Sequence, residues 1–169
     1  MKLIKDLKFI ARAAKRNSDE NWEFRTFLKG IDMTSDELDA VVHRINDEIS
    51  AQIDCTLCGN CCRASAPVLD QEDVTRFAIT LEMPIQEFRE THLREDDDEP
   101  DTYVFNEQPC QFLEGKMCSN YEGRPKDCQS FPHLHKPEFR SRLWGVIDNY
   151  ATCPIVFNVY EKLKIELWR

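Results

Sequence analysis

A mainly helical domain with short β elements is predicted from three observations. Apolar residues recur at helical spacing through several long segments. Residues that favour helix starts stand at the heads of those segments. Only two short alternating stretches, Thr102–Asn106 and Arg142–Ile147, read as strands. The chain length fits one small domain, and a hydrophobic share of 41% supports a modest core. The helices are expected to support two irregular cysteine-rich loops, because most cysteines fall where the helical period fails.

The N-terminal segment 1–16 is amphipathic. Leu3, Leu7, Ile10 and Ala14 share one helical face, joined by Ile4 and Ala11. The segment holds six basic residues and one acid, and reads as a docked surface helix with a solvated basic face. Ser18 is expected to cap a second helix that runs to Lys29, with Gly30 at its end. Its core residues would be Trp22, Phe24, Phe27 and Leu28. Thr34 and Glu37 make a capping box for the third helix. There Leu38, Val41, Val42, Ile45, Ile49 and Ile53 keep helical spacing up to the first cysteines.

A loop is expected from Cys55 to about Pro67. Asp70 then caps a short helix with Val74, Phe77, Ala78 and Leu81 on one face. Pro84 suits the first turn of another, with Ile85, Phe88 and Leu93 inward. Residues 94–101 hold six acids and read as a solvated loop, without the spacing or glycine of an EF-hand. Thr102–Asn106 alternates as a short strand, and Arg142–Ile147 reads as a second. Between them, 107–135 shows no period and is expected to be irregular. Pro154 opens a last helix with Val156, Val159, Tyr160, Leu163 and Leu167 inward. The organisation that follows is residues 1–54 as N-terminal helices, 55–155 as a cysteine-cluster domain, and 156–169 as a C-terminal helix on the same core.

The 22 Lys and Arg stand against 31 Asp and Glu, a formal charge of −9. Phosphate contacts need basic groups, so nucleic acid is not an expected partner. No apolar run reaches the roughly 18 residues of a membrane-spanning helix. The basic N-terminus lacks the apolar centre of a secretory signal. A cytoplasmic, reducing setting is therefore expected, in which cysteines serve as metal ligands or reactive groups more often than as disulfides. A protein partner and the oligomeric state leave no mark in the sequence.

Eight cysteines carry the chemistry. Cys55, Cys58, Cys61 and Cys62 crowd into eight positions, while Cys110, Cys118, Cys128 and Cys153 are dispersed. A Cys-x-x-Cys turn brings two thiolates to one metal, and Gly59 relieves the backbone inside that turn. Three cysteines at two-residue gaps suit an iron–sulfur cluster, although the fourth of a ferredoxin run would follow three residues later. A zinc ribbon would bring its second pair about 15–20 residues on, whereas residues 63–109 separate Cys62 from Cys110. All eight are candidate metal ligands. Arg124 reads as a partner of Glu122, as a cation near sulfur that offsets thiolate charge, or as a surface residue of a turn. His133 and His135 read as polar loop residues rather than Rieske-type ligands.

The run Cys55-x-x-Cys58-x-x-Cys61-Cys62 resembles the signature of the YkgJ-like CxxCxxCC cysteine-cluster family, described as zinc- or iron-chelating. The stretches Pro109–Leu113, Gly115–Cys118 and Tyr121–Pro132 are similar to that family's second block. Val68–Ala78 resembles its intervening helix, and Cys153-Pro154-Ile155 its closing element. The resemblance covers roughly residues 55–155. It implies cysteine-based metal binding without naming a reaction. A related cysteine-cluster domain occurs in the flagellin lysine N-methylase, which is associated with an iron–sulfur centre, so the resemblance leans towards iron. The chain is thus expected to hold an iron–sulfur cluster or another iron centre. A structural zinc module for interaction is the alternative, followed by a cluster-dependent methyl-transferase-like enzyme.

Overall fold

The computed structural model describes residues 2–169. Met1, where the expected N-terminal segment begins, lies outside the described residues. The molecule is mainly helical with short β elements, as predicted, and among the described residues the strands form two antiparallel pairs. It divides into two compact units: residues 1–54 with 132–169, and residues 55–131.

The first unit contains α1 (Leu7–Arg16), α2 (Ser18–Gly30), α3 (Ser35–Ser50), α8 (Leu143–Tyr150) and α9 (Pro154–Leu167). α9 packs against α3, α8 and α1. Its apolar residues from Ile155 to Tyr160, together with Leu163, are buried. Pro154 stands in its first turn, as predicted, while Leu167 is only half-buried.

The N-terminal helix starts later than its periodicity suggests. Asp6 caps it, accepting from the Phe9 amide at 2.8 Å. Leu3 and Ile4 stay outside, and the buried Asn158 side chain captures both peptide groups of Ile4, at 2.9 and 2.7 Å. Ile10 and Ala13, rather than Ala14 and Ala11, are the buried residues of α1. Ser18 does not cap α2. Asn17 holds that position, with its side chain engaged by the Tyr150 hydroxyl at 3.3 Å instead of the helix end. Phe24 and Leu28 are fully buried, while Trp22 and Phe27 are half-buried.

The capping box of α3 forms as predicted: the Thr34 amide donates to Glu37 Oε2 at 2.7 Å, and the Glu37 amide to Thr34 Oγ1 at 3.2 Å. α3 ends at Ser50, short of Ile53. The strand expected at 142–147 is instead the start of α8. Leu143, Val146 and Tyr150 are buried at helical spacing, and that face packs on α9, so the alternation of Leu143, Gly145 and Ile147 loses.

The second unit contains α4 (Asn60–Ala64), α5 (Gln71–Thr80), α6 (Ile85–His92), β1 (Leu93–Glu95), β2 (Tyr103–Phe105), β3 (Leu113–Glu114), β4 (Met117–Cys118) and α7 (Lys126–Ser130). Its core gathers Leu69, Val74, Phe77, Ala78, Phe88, Leu93, Tyr103 and Phe105, with Phe112 and Cys110 packed against it. Asp70 caps α5 through a box with Asp73. Pro84 precedes α6 as its N-cap residue, and Ile85 is exposed rather than inward. β1 pairs with β2 in the register Leu93↔Phe105 and Glu95↔Tyr103, so the acidic stretch begins as a strand before it turns out to solvent. The stretch 107–135 is less irregular than expected. It folds a hairpin, β3–β4, and the short α7. Two-residue strands and a five-residue helix are too short to show a period. Among the described residues, no helix is long and apolar enough to cross a membrane.

Candidate metal centre

Seven of the eight cysteines lie on the second unit, in two arms. The first arm begins with a single helical turn, Cys55–Leu57, closed by the Cys58 amide on the Cys55 carbonyl at 3.1 Å. Gly59 follows in the left-handed region, φ 65°, and heads α4, which carries Cys61 and Cys62. A Cβ at Gly59 would sit 2.6 Å from the Lys116 carbonyl oxygen, so only glycine fits between the arms.

The second arm carries Cys110 ahead of the hairpin, Cys118 on β4 and Cys128 on α7. Backbone and side-chain bonds join the arms directly. The Cys110 amide donates to the Cys62 carbonyl at 2.8 Å. The Arg63 guanidinium donates to the Cys58 carbonyl at 3.1 Å and to the Gly115 carbonyl at 2.7 Å. Cys110 also packs on the unit's apolar core, which couples the site to that core.

The thiols fall into distinct electrostatic classes. The Cys62 thiol is pulled from the usual 9.0 down to about 6, chiefly because the Cys61 side chain hydrogen-bonds its thiolate, with help from Arg63 and Arg124 and against the pull of burial. Burial pushes the Cys110 thiol up, and the Cys62 and Cys118 charges add to it. Cys118 is raised in the same way, with Cys62 as the adverse charge. Cys128 is raised furthest, by burial and then by Cys62, Asp127, Cys110 and Cys118. Cys62, Cys110, Cys118 and Cys128 therefore lie within one another's fields. For Cys110, Cys118 and Cys128 burial is the larger cause and the neighbouring thiolate charges the smaller.

Other positions differ. Cys55 is exposed at the rim and Cys58 is half-buried. Cys153 belongs to the other unit, buried at the N-cap of α9, with its amide on the Asn149 carbonyl at 2.8 Å. Of the readings for Arg124, the cation whose charge reaches the sulfurs fits what its side chain does. Its Nε donates to the Tyr121 carbonyl at 2.7 Å, its guanidinium lies 3.4 Å from the Tyr121 ring centre, and its charge acts on Cys62 and Cys118. Arg63 was not legible as a bridge between the arms, since its partners are backbone carbonyls, one of them 52 residues away.

The donor chemistry suits a thiophilic metal. Thiolates take zinc, iron and iron–sulfur clusters alike. As the side chains lie, no group of three or more His, Cys, Asp or Glu among the described residues is arranged to hold a metal ion. Closing a coordination shell thus requires movement of these half-buried side chains. The family model described as "CxxCxxCC: Putative zinc- or iron-chelating domain" matches residues 54–153. No curated protein and no solved structure matches the chain.

Proposed function

Because this chain belongs to the CxxCxxCC family of zinc- or iron-chelating domains, we propose that it holds an iron centre, an iron–sulfur cluster in the first instance, through cysteine thiolates. The observation that carries the reading is the joining of the two arms, the Cys110 amide on the Cys62 carbonyl at 2.8 Å and Arg63 on the Cys58 and Gly115 carbonyls, which brings Cys62, Cys110, Cys118 and Cys128 within reach of one another's charge. These four are the principal ligands in this reading. Cys61, bonded to Cys62, adjoins them, and Cys55 and Cys58 supply the accessible rim. Cys153, the last residue of the family match, completes the set of candidate thiols. The two-residue gaps of Cys55, Cys58 and Cys61, which bring further thiolates beside these four, favour a cluster. The cations Arg63 and Arg124 offset the charge that a thiolate-ligated centre accumulates. A reducing cytoplasm, which keeps such thiols available, is the setting that fits.

Zinc is the second reading, because four thiolates also complete a tetrahedral zinc site. Anaerobic purification followed by metal and sulfide analysis separates the two. Iron with sulfide and visible charge-transfer absorption is the expected result. A colourless protein with stoichiometric zinc assigns the site to zinc instead.

A further inference from the structure

We propose that Asp73, a residue of α5 with no sulfur of its own, is the positioning residue of the second cysteine arm. It aims Cys128 and, through Arg76, fixes the backbone of Arg124. The inference rests on the metal-binding reading and adds to it the part that orients the ligands.

Asp73 is a carboxylate only 2% exposed. Such a group stays buried only when its oxygens are satisfied. One oxygen, Oδ2, accepts from the Asp70 amide at 3.3 Å and closes the capping box of α5. The other, Oδ1, accepts from the Lys126 amide at 3.0 Å and pairs with the Arg76 guanidinium. Lys126 is the first residue of α7, two positions before Cys128. Its amide is one of the donors that a helix start leaves without an internal partner. A carboxylate there both satisfies the donor and complements the positive end of α7. Arg76 extends the same anchor, since its Nη2 donates to the Arg124 carbonyl at 2.9 Å.

The far end of the arm is tied to the same helix. Asn120 Nδ2 donates to Thr80 Oγ1 at 2.8 Å and to the Phe77 carbonyl at 3.3 Å. A Cβ at Gly123 would meet Thr80 Oγ1 at 2.2 Å. The segment from Cys118 to Cys128 is therefore fastened to α5 at both ends, and α5 owes its place to Val74, Phe77 and Ala78 in the apolar core. Asp73 is where that rigid helix meets the start of α7. Partners of this kind, one bond removed from the ligands, fix ligand orientation in metal sites.

The test uses the full chain, reduced, metal-free and anaerobic, with cobalt(II) as the probe metal in competition with a chelator. Lys126→Pro removes only the backbone donor and the lysine side chain, at a first-turn position where proline is tolerated. Lys126→Ala removes the side chain and keeps the donor. Asp73→Asn disturbs the acceptor itself. Affinity near wild type is expected for Lys126→Ala. A loss of about tenfold or more is expected for Lys126→Pro and Asp73→Asn, with weaker thiolate-to-cobalt absorption per bound ion. A purely structural role would lower the melting temperature of the metal-free protein and leave the spectrum of the loaded protein unchanged. Equal affinity and equal spectra for Lys126→Pro and Lys126→Ala overturn the positioning role while the metal reading stands. A wild-type chain that takes up no cobalt overturns both.

Discussion

The glycine between the first cysteines has two constraints at once, and each has its own energy. Gly59 adopts φ 65°, and its missing Cβ leaves room for the Lys116 backbone. Gly115, at the hairpin turn, shares the positive φ, 63°, but has nothing within 4 Å of a built Cβ. Gly115→Ala is therefore expected to cost only backbone strain, about 1–3 kcal/mol. Gly59→Ala should cost more, because the arms must also part, and denaturant unfolding of the two variants measures the difference. Equal losses would remove the close approach from the account. The thiols make a second expectation at this scale. The Cys62 thiol, pulled down to about 6 by the Cys61 hydrogen bond and the two arginines, should in metal-free protein alkylate at a rate that rises with pH and levels off above that point. Cys128, raised well above the usual thiol value, should stay protonated and slow at the same pH. Mass spectrometry of iodoacetamide labelling checks this, and an inflection for Cys62 near 9 contradicts it. Gly59, the Thr34/Glu37 capping box and the Asp70 cap were legible because their signals are local. The roles of Arg63 and Asp73 were not, since both depend on carbonyls or amides far along the chain.

Among the elements, α5 and α6 form the platform beneath the second arm. Phe77 stacks on Phe88 with ring centres 5.1 Å apart, and packs against Phe105 at 5.4 Å and Phe112 at 4.7 Å. Phe77→Ala should cost about 3–5 kcal/mol of stability, and it should weaken metal affinity as well, because Cys110 and Phe112 lean on the same cluster. Thermal melts of the metal-free chain together with chelator competition test both halves. Unchanged metal affinity in a destabilised but folded variant would uncouple core from site. The helices with long periodic faces, α3, α5 and α9, were readable from their spacing and starts. α8 was not, because its eight residues fit a period of two as readily as a helical one until α9 is present to receive Leu143, Val146 and Tyr150. The hairpin and α7 escaped for a related reason: they are held by Asp73, Asn120 and Arg63 rather than by a hydrophobic face of their own.

For the whole molecule, the metal is a linkage partner of the fold. Cys110, Cys118 and Cys128 carry raised pKa values, so at neutral pH their protons must leave before a metal binds. Metal affinity is accordingly expected to rise with pH and to fall on acidification, with proton release on binding. Chelator competition at several pH values checks the sign, and a pH-independent affinity contradicts it. The second unit has its own apolar core, so it should remain compact without metal while gaining melting temperature when loaded. The first unit joins two segments that are distant in sequence, 1–54 and 132–169, a closure that no local pattern announces. The eight cysteines signalled their chemistry from spacing alone, but which of them sense one another emerged only when the arms were folded together. The central claim is that the sulfurs of Cys62, Cys110, Cys118 and Cys128 jointly hold the metal. Its most direct test is the metal-to-protein ratio after anaerobic gel filtration, compared between wild type and a Cys62→Ser/Cys118→Ser variant. Stoichiometric iron or zinc in the wild type and its loss from the variant is the expected result. Equal metal in both, or none in the wild type, contradicts the claim.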